Sequence, residues 1–102
     1  MKNMKDLFKH LESAGFVVTK GEDNNCFRVD GKFYSISVSF HDGNYCDNRL
    51  TDYGWACENA EVHIWERNPP YMSVNGPDGG VWGWRNPEAI VSLIDQYVGA
   101  PK

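Results

Sequence analysis

Met4, Leu7, Phe8 and Leu11 recur at the spacing of one helical face, with Lys5, Lys9, His10 and Glu12 between them, and Gly15 stands where a left-handed turn would end the helix. The pattern then changes. Phe16 to Thr19 is rich in β-branched residues and predicts a strand, stopped by the polar run from Gly21 to Asn25. Cys26 to Val29 and Lys32 to Phe40 flank Asp30-Gly31, a dipeptide suited to a two-residue hairpin turn. The second arm alternates cleanly, with Tyr34, Ile36, Val38 and Phe40 on one face and Ser35, Ser37 and Ser39 on the other, as expected of a sheet with one wet face.

The polar segment from His41 to Tyr53 predicts a long connection, of the kind that is disproportionately functional or mobile. A fourth strand is expected over Glu61 to Glu66, with Val62 and Ile64 on one side and Glu61, His63 and Trp65 on the other. Asn68-Pro69-Pro70 breaks the chain, Tyr71 to Val74 resumes an extended pattern, and Asn75 to Gly80 holds the Gly, Pro and Asp of a turn. Val81 to Arg85 is the last expected strand. Asn86-Pro87-Glu88 then supplies an N-cap acceptor, a pre-set φ and an acid at the positive end of the helix dipole. Ile90, Val91, Ile94, Tyr97 and Val98 form that helix's apolar stripe, closed by Gly99 and Pro101.

The expected fold class is therefore α+β over residues 1–102. A short N-terminal helix precedes a mostly antiparallel, meander-like five-stranded sheet, and a C-terminal helix packs on the same sheet face. A chain of 102 residues with 41% hydrophobic and 24% charged residues supports one ordered domain without staples. The absence of a long apolar run speaks against a membrane span, and the amphipathic N-terminus against a secretory leader. Three cysteines, Cys26, Cys46 and Cys57, with no close pair suit reduced thiols, so a cytoplasmic location is expected.

Charge changes the picture locally. The net charge is −4, yet residues 1–40 carry six basic and five acidic side chains, and residues 67–102 three of each. From His41 to Glu66 the acids Asp42, Asp47, Asp52, Glu58, Glu61 and Glu66 face Arg49 alone, a local balance of −5. Such a segment repels phosphate backbones, which argues against direct nucleic-acid binding, and favours approach to a basic protein surface; its plainer reading is solvated loop.

All four tryptophans, Trp55, Trp65, Trp82 and Trp84, lie between Tyr53 and Trp84, whereas all five phenylalanines precede them. Trp and Tyr join a large apolar body to a polar tip and are enriched in contact surfaces, while Phe mostly supplies core. Trp82 and Trp84 are two residues apart and so should share one side of a strand, as packing or as contact surface.

No catalytic signature accompanies these features. His41, Cys46, Cys57 and His63 are the best candidates for a zinc or Cys-dependent site, but they lack the tight ligand pairs of structural zinc knuckles. The loop from Asp42 to Asn48 offers oxygen ligands without the pattern of an EF-hand. No elbow motif frames a nucleophile, and no cofactor is implied.

The sequence thus points to a non-enzymatic protein-binding module, as a monomer or homodimer. The expected type is a small acidic inhibitor, such as a phage anti-defence or toxin-immunity protein, that docks on a basic, nucleic-acid-handling partner. Trp65, Trp82, Trp84, Tyr53 and Trp55 are the candidate anchors, with Asp42, Asp47, Asp52 and Glu61 steering. The alternative is a carbohydrate or small-ligand domain that stacks its ligand on the same rings.

Overall fold

The computed structural model describes residues 1–21 and 25–101; most of the polar run after the first strand thus lies outside the described residues. Helix α1 (Met4–Ala14) begins where the Asn3 side chain accepts from the Asp6 N–H and ends on Gly15 at φ 91°, a left-handed residue that favours glycine. It buries Met4, Leu7 and Leu11. Helix α2 (Pro87–Tyr97) is capped by the Asn86 side chain, which accepts from the Ala89 N–H, and it buries Pro87, Ile90 and Ile94. The start of α2 matches its sequence signal because local hydrogen bonding dictates it.

Five strands, β1 (Val17–Lys20), β2 (Cys26–Asp30), β3 (Tyr34–Ser39), β4 (Ala60–Glu66) and β5 (Trp82–Arg85), form one antiparallel sheet in the order of the chain. The expected meander is therefore the observed one. Phe27, Val29, Ile36, Val38, Val62 and Ile64 project from one sheet face into a single buried cluster with the apolar stripes of both helices. At this scale each fully buried aliphatic or aromatic side chain contributes about 1.5–3 kcal/mol.

Three local readings need correction. The β2–β3 reversal does not turn on Asp30-Gly31. Asp30 still pairs with Ser35, and the Gly31 N–H donates to the Tyr34 carbonyl at 2.9 Å, which puts the reversal at Lys32-Phe33. Gly31 serves close approach instead: an added Cβ would lie 3.0 Å from Val98 Cγ1. The serine face is also not wet throughout. Ser35 is only 3% exposed, and its hydroxyl donates to Asp30 Oδ1 at 2.6 Å.

The third correction concerns the two terminal-strand tryptophans. Trp82 pairs with Val62 and Arg85 with Ala60, so three steps along β5 match two along β4: a bulge of one residue. Trp82 packs towards the core, its ring 6.3 Å from that of Tyr97. Trp84 lies inside the bulge with φ 47° and leaves the core face. Period-two alternation is broken by the inserted residue, and the two indoles part.

Tyr71–Val74 makes only a bridge, Trp65 to Ser73, on the edge of β4 beyond β5. A cis Pro69–Pro70 peptide lies in the preceding reversal. No helix among the described residues is long and apolar enough to cross a membrane.

Candidate functional site

The connection between β3 and β4 is polar in sequence but built around an interior amide. Asn48 is 3% exposed. Its Nδ2 donates to the Phe40 carbonyl at 2.6 Å and the Gly54 carbonyl at 3.1 Å, and its Oδ1 accepts from the Tyr53 N–H at 2.7 Å. One side chain thereby ties the end of β3 to two short 3-10 turns, Asp47–Arg49 and Gly54–Ala56. Other amides and acids repeat the device on a smaller scale. Asn44 accepts from the His41 N–H and donates to Glu61, Glu61 also accepts from the Tyr45 N–H, and Asn59 accepts from the Asp47 N–H. Local side-chain bonds thus replace the backbone pairing that this segment lacks.

What this scaffold holds outward is apolar. Leu50 is 93% exposed, Tyr53 54% and Trp84 50%. The Trp84 indole stacks on Tyr45 with centroids 5.3 Å apart and planes 7° from parallel, and the Arg49 guanidinium lies 5.1 Å from the Tyr45 centroid. Asp47, Arg49, Leu50, Thr51, Tyr53 and Trp84 line a shallow groove of about 440 Å³.

Trp84 is held there at a cost. A left-handed backbone in a bulky residue is disfavoured by about 1–2 kcal/mol. Its N–H donates to the Tyr45 carbonyl at 2.8 Å. Beside it, Gly83 admits no side chain, since an added Cβ would lie 2.9 Å from Tyr45 Cβ. Asp78 secures the strand from the other side, accepting from the Gly83 N–H at 2.8 Å and lying 3.8 Å from Arg85. The fold thus spends strain to keep a large ring half in solvent.

Of the residues singled out in the sequence, Tyr53, Trp84 and Asp47 converge on this groove, and Asp52 adjoins it. Asp52 also accepts from the Gly54 N–H, and Asp42 is exposed on the same connection. Trp55 belongs elsewhere. It stacks on Phe27 and meets Phe8 and Phe40 edge-on, an aromatic cluster against α1. Trp82 is packing, and Glu61 ties the loop to β4. Trp65 sits on the open sheet face beside His63, centroids 5.2 Å apart, where His63 hydrogen-bonds Ser73.

Sequence reasoning missed Tyr45, Arg49, Leu50 and the organising Asn48. A lone leucine in a polar segment was the one available signal for Leu50.

Of the four residues weighed as a metal or thiol centre, only Cys46 and Cys57 are shown side by side. Cys46 and Cys57 are buried in the core and donate to the main-chain carbonyls of His41 and Asn59, whereas His63 lies on the open sheet face. Burial pushes the Cys46 thiol up to about 11, the opposite of an activated nucleophile. Among the described residues no group of three or more His, Cys, Asp or Glu side chains could hold a metal ion. No protein-family model, curated protein or solved structure matches this chain.

Proposed function

We propose that this protein is a non-enzymatic binding module, a small acidic inhibitor type, that docks on a basic protein surface through the face formed by Trp84, Tyr45, Leu50 and Tyr53. The observation that carries this reading is Trp84 itself, half-exposed on strained backbone and braced by Tyr45, Gly83 and Asp78. Strain of this kind persists only where surrounding structure enforces it, and a rigid ring is a low-entropy anchor. Leu50 and Tyr53 extend the apolar area, while Asp42, Asp47, Asp52 and Glu58 place exposed acids on the same connection. This is the arrangement of an apolar centre with a charged rim that steers encounter with a basic partner.

The test uses a photo-crosslinking residue at position 50, with one at Glu12 on α1 as control. The expected result is one basic partner captured from position 50 alone, and its loss in Trp84→Ala and Tyr53→Asp proteins whose circular dichroism is unchanged. Capture that is the same from both positions, or undiminished in the folded variants, overturns the reading.

A further inference from the structure

A second concave surface, lined mainly by α1 and the end of β1, has the opposite charge. Lys5, Lys9 and Glu12 on the outer side of α1, Lys20 at the end of β1, and the rings of Phe8 and Trp55 line a groove of about 460 Å³. Three ammonium groups face one carboxylate among these residues, in a protein whose net charge is −4. The rings are set at 78°, with centroids 5.5 Å apart, so they form a corner rather than a flat floor. Lys20 Nζ sits in that corner, 5.1 Å from the Phe8 centroid and 5.2 Å from the Trp55 centroid. Its ammonium is thereby drawn over the aromatic wall, with Lys5 and Lys9 beside it on neighbouring turns of the helix.

We propose that this groove binds an aromatic anion of mononucleotide size. A planar ring would take the place of the Lys20 ammonium against the Trp55 and Phe8 corner, and its phosphate would be held by the displaced Lys20 together with Lys5 and Lys9. Base-on-aromatic stacking tolerates any planar ring, and lysine is a point-charge partner for phosphate, so the two halves of the groove match the two halves of such a ligand. An extended polyanion is disfavoured by the acidic segment from His41 to Glu66, which leaves a compact, singly placed anion as the fitting occupant.

The probe is AMP, titrated at millimolar concentration into the full chain at low salt and followed by two-dimensional NMR. The expected result is saturable shifts of the Phe8 and Trp55 ring signals that weaken with added salt. Affinity should fall roughly tenfold in a Lys5→Gln, Lys9→Gln double variant, two exposed positions where substitution spares the core. Uncharged adenosine should produce much smaller shifts, and Trp84→Ala should bind AMP as the parent does, which separates this site from the docking face. No saturable shift at Phe8 and Trp55, an undiminished response in the double variant, or an equal response to adenosine overturns the proposal.

Discussion

Replacing Asn48 by alanine is the sharpest test of how the β3–β4 connection is held. The substitution deletes two donated hydrogen bonds, to Phe40 and Gly54, and one accepted from Tyr53. At about 1 kcal/mol per net hydrogen bond the loss is about 3 kcal/mol, lowered to about 2–3 kcal/mol where water reaches the orphaned groups beside exposed Tyr53. That is a large part of the roughly 5–15 kcal/mol by which such domains are stable. It corresponds to a fall in Tm of about 8–24 °C for a domain of this length. Urea unfolding followed by circular dichroism reads it as a lower midpoint at constant m. Asn48→Asp is the companion variant: it keeps the acceptor for Tyr53 but turns a carboxylate towards two carbonyl oxygens, so at neutral pH it should cost at least as much as alanine. On acidification its deficit relative to the parent should narrow, because a protonated carboxyl regains one donor. A cost below about 1 kcal/mol for Asn48→Ala would refute the view that this one amide organises the connection.

Five further outcomes are expected. Trp84→Gly should be more stable than Trp84→Ala by about 1 kcal/mol in urea melts, because only glycine adopts the left-handed backbone without penalty; equal stabilities would remove the strain argument. Gly76→Ala should lower the melting midpoint markedly, since an added Cβ would lie 2.5 Å from the Val81 carbonyl, whereas Gly43→Ala, with open space around it, should change stability by less than about 1 kcal/mol. Asn86→Ala should cost about 1 kcal/mol through the lost α2 cap, and an unchanged melt would contradict the capping geometry. Native-state alkylation followed by mass spectrometry should modify half-buried Cys26 ahead of buried Cys46 and Cys57. The Cys46 thiol, raised from 9.0 to about 11, keeps its proton in the fold longer than in the unfolded chain, so the stability it contributes is complete below about pH 9 and is lost between there and pH 11.

The elements were legible wherever hydrophobic period and capping chemistry agreed. Asn86-Pro87-Glu88 starts α2 through bonds and dihedrals confined to one turn, and the alternation of β3 states which face is buried. The failures share a cause, which is that each depends on a contact distant in sequence. Gly31 resembles a turn residue until Val98 is packed against it. Trp82 and Trp84 share a strand face only in a regular ladder, and the bulge that separates them is set by Tyr45 and Asp78. Trp55 reads as a candidate anchor from the Trp- and Tyr-rich stretch it opens, but Phe8, Phe27 and Phe40 claim it for an aromatic cluster. The site residues Tyr45 and Leu50 were hidden in a polar segment whose order comes from Asn48, an amide with no local signature.

The meander has a kinetic side as well. Each strand pairs with its neighbour in the chain, so the first hairpins can form by short closures, whereas residues 67–81 join β4 to β5 and the longest span, residues 40–59, joins β3 to β4. Closing that span is the largest entropic step between adjacent strands, and the Asn48 bonds shorten it by gathering the segment onto the end of β3. The segment that holds Leu50 and Tyr53 in solvent is therefore the one whose ordering gates the central strand pair. Changes made there to alter recognition should be screened for refolding rate as well as for affinity.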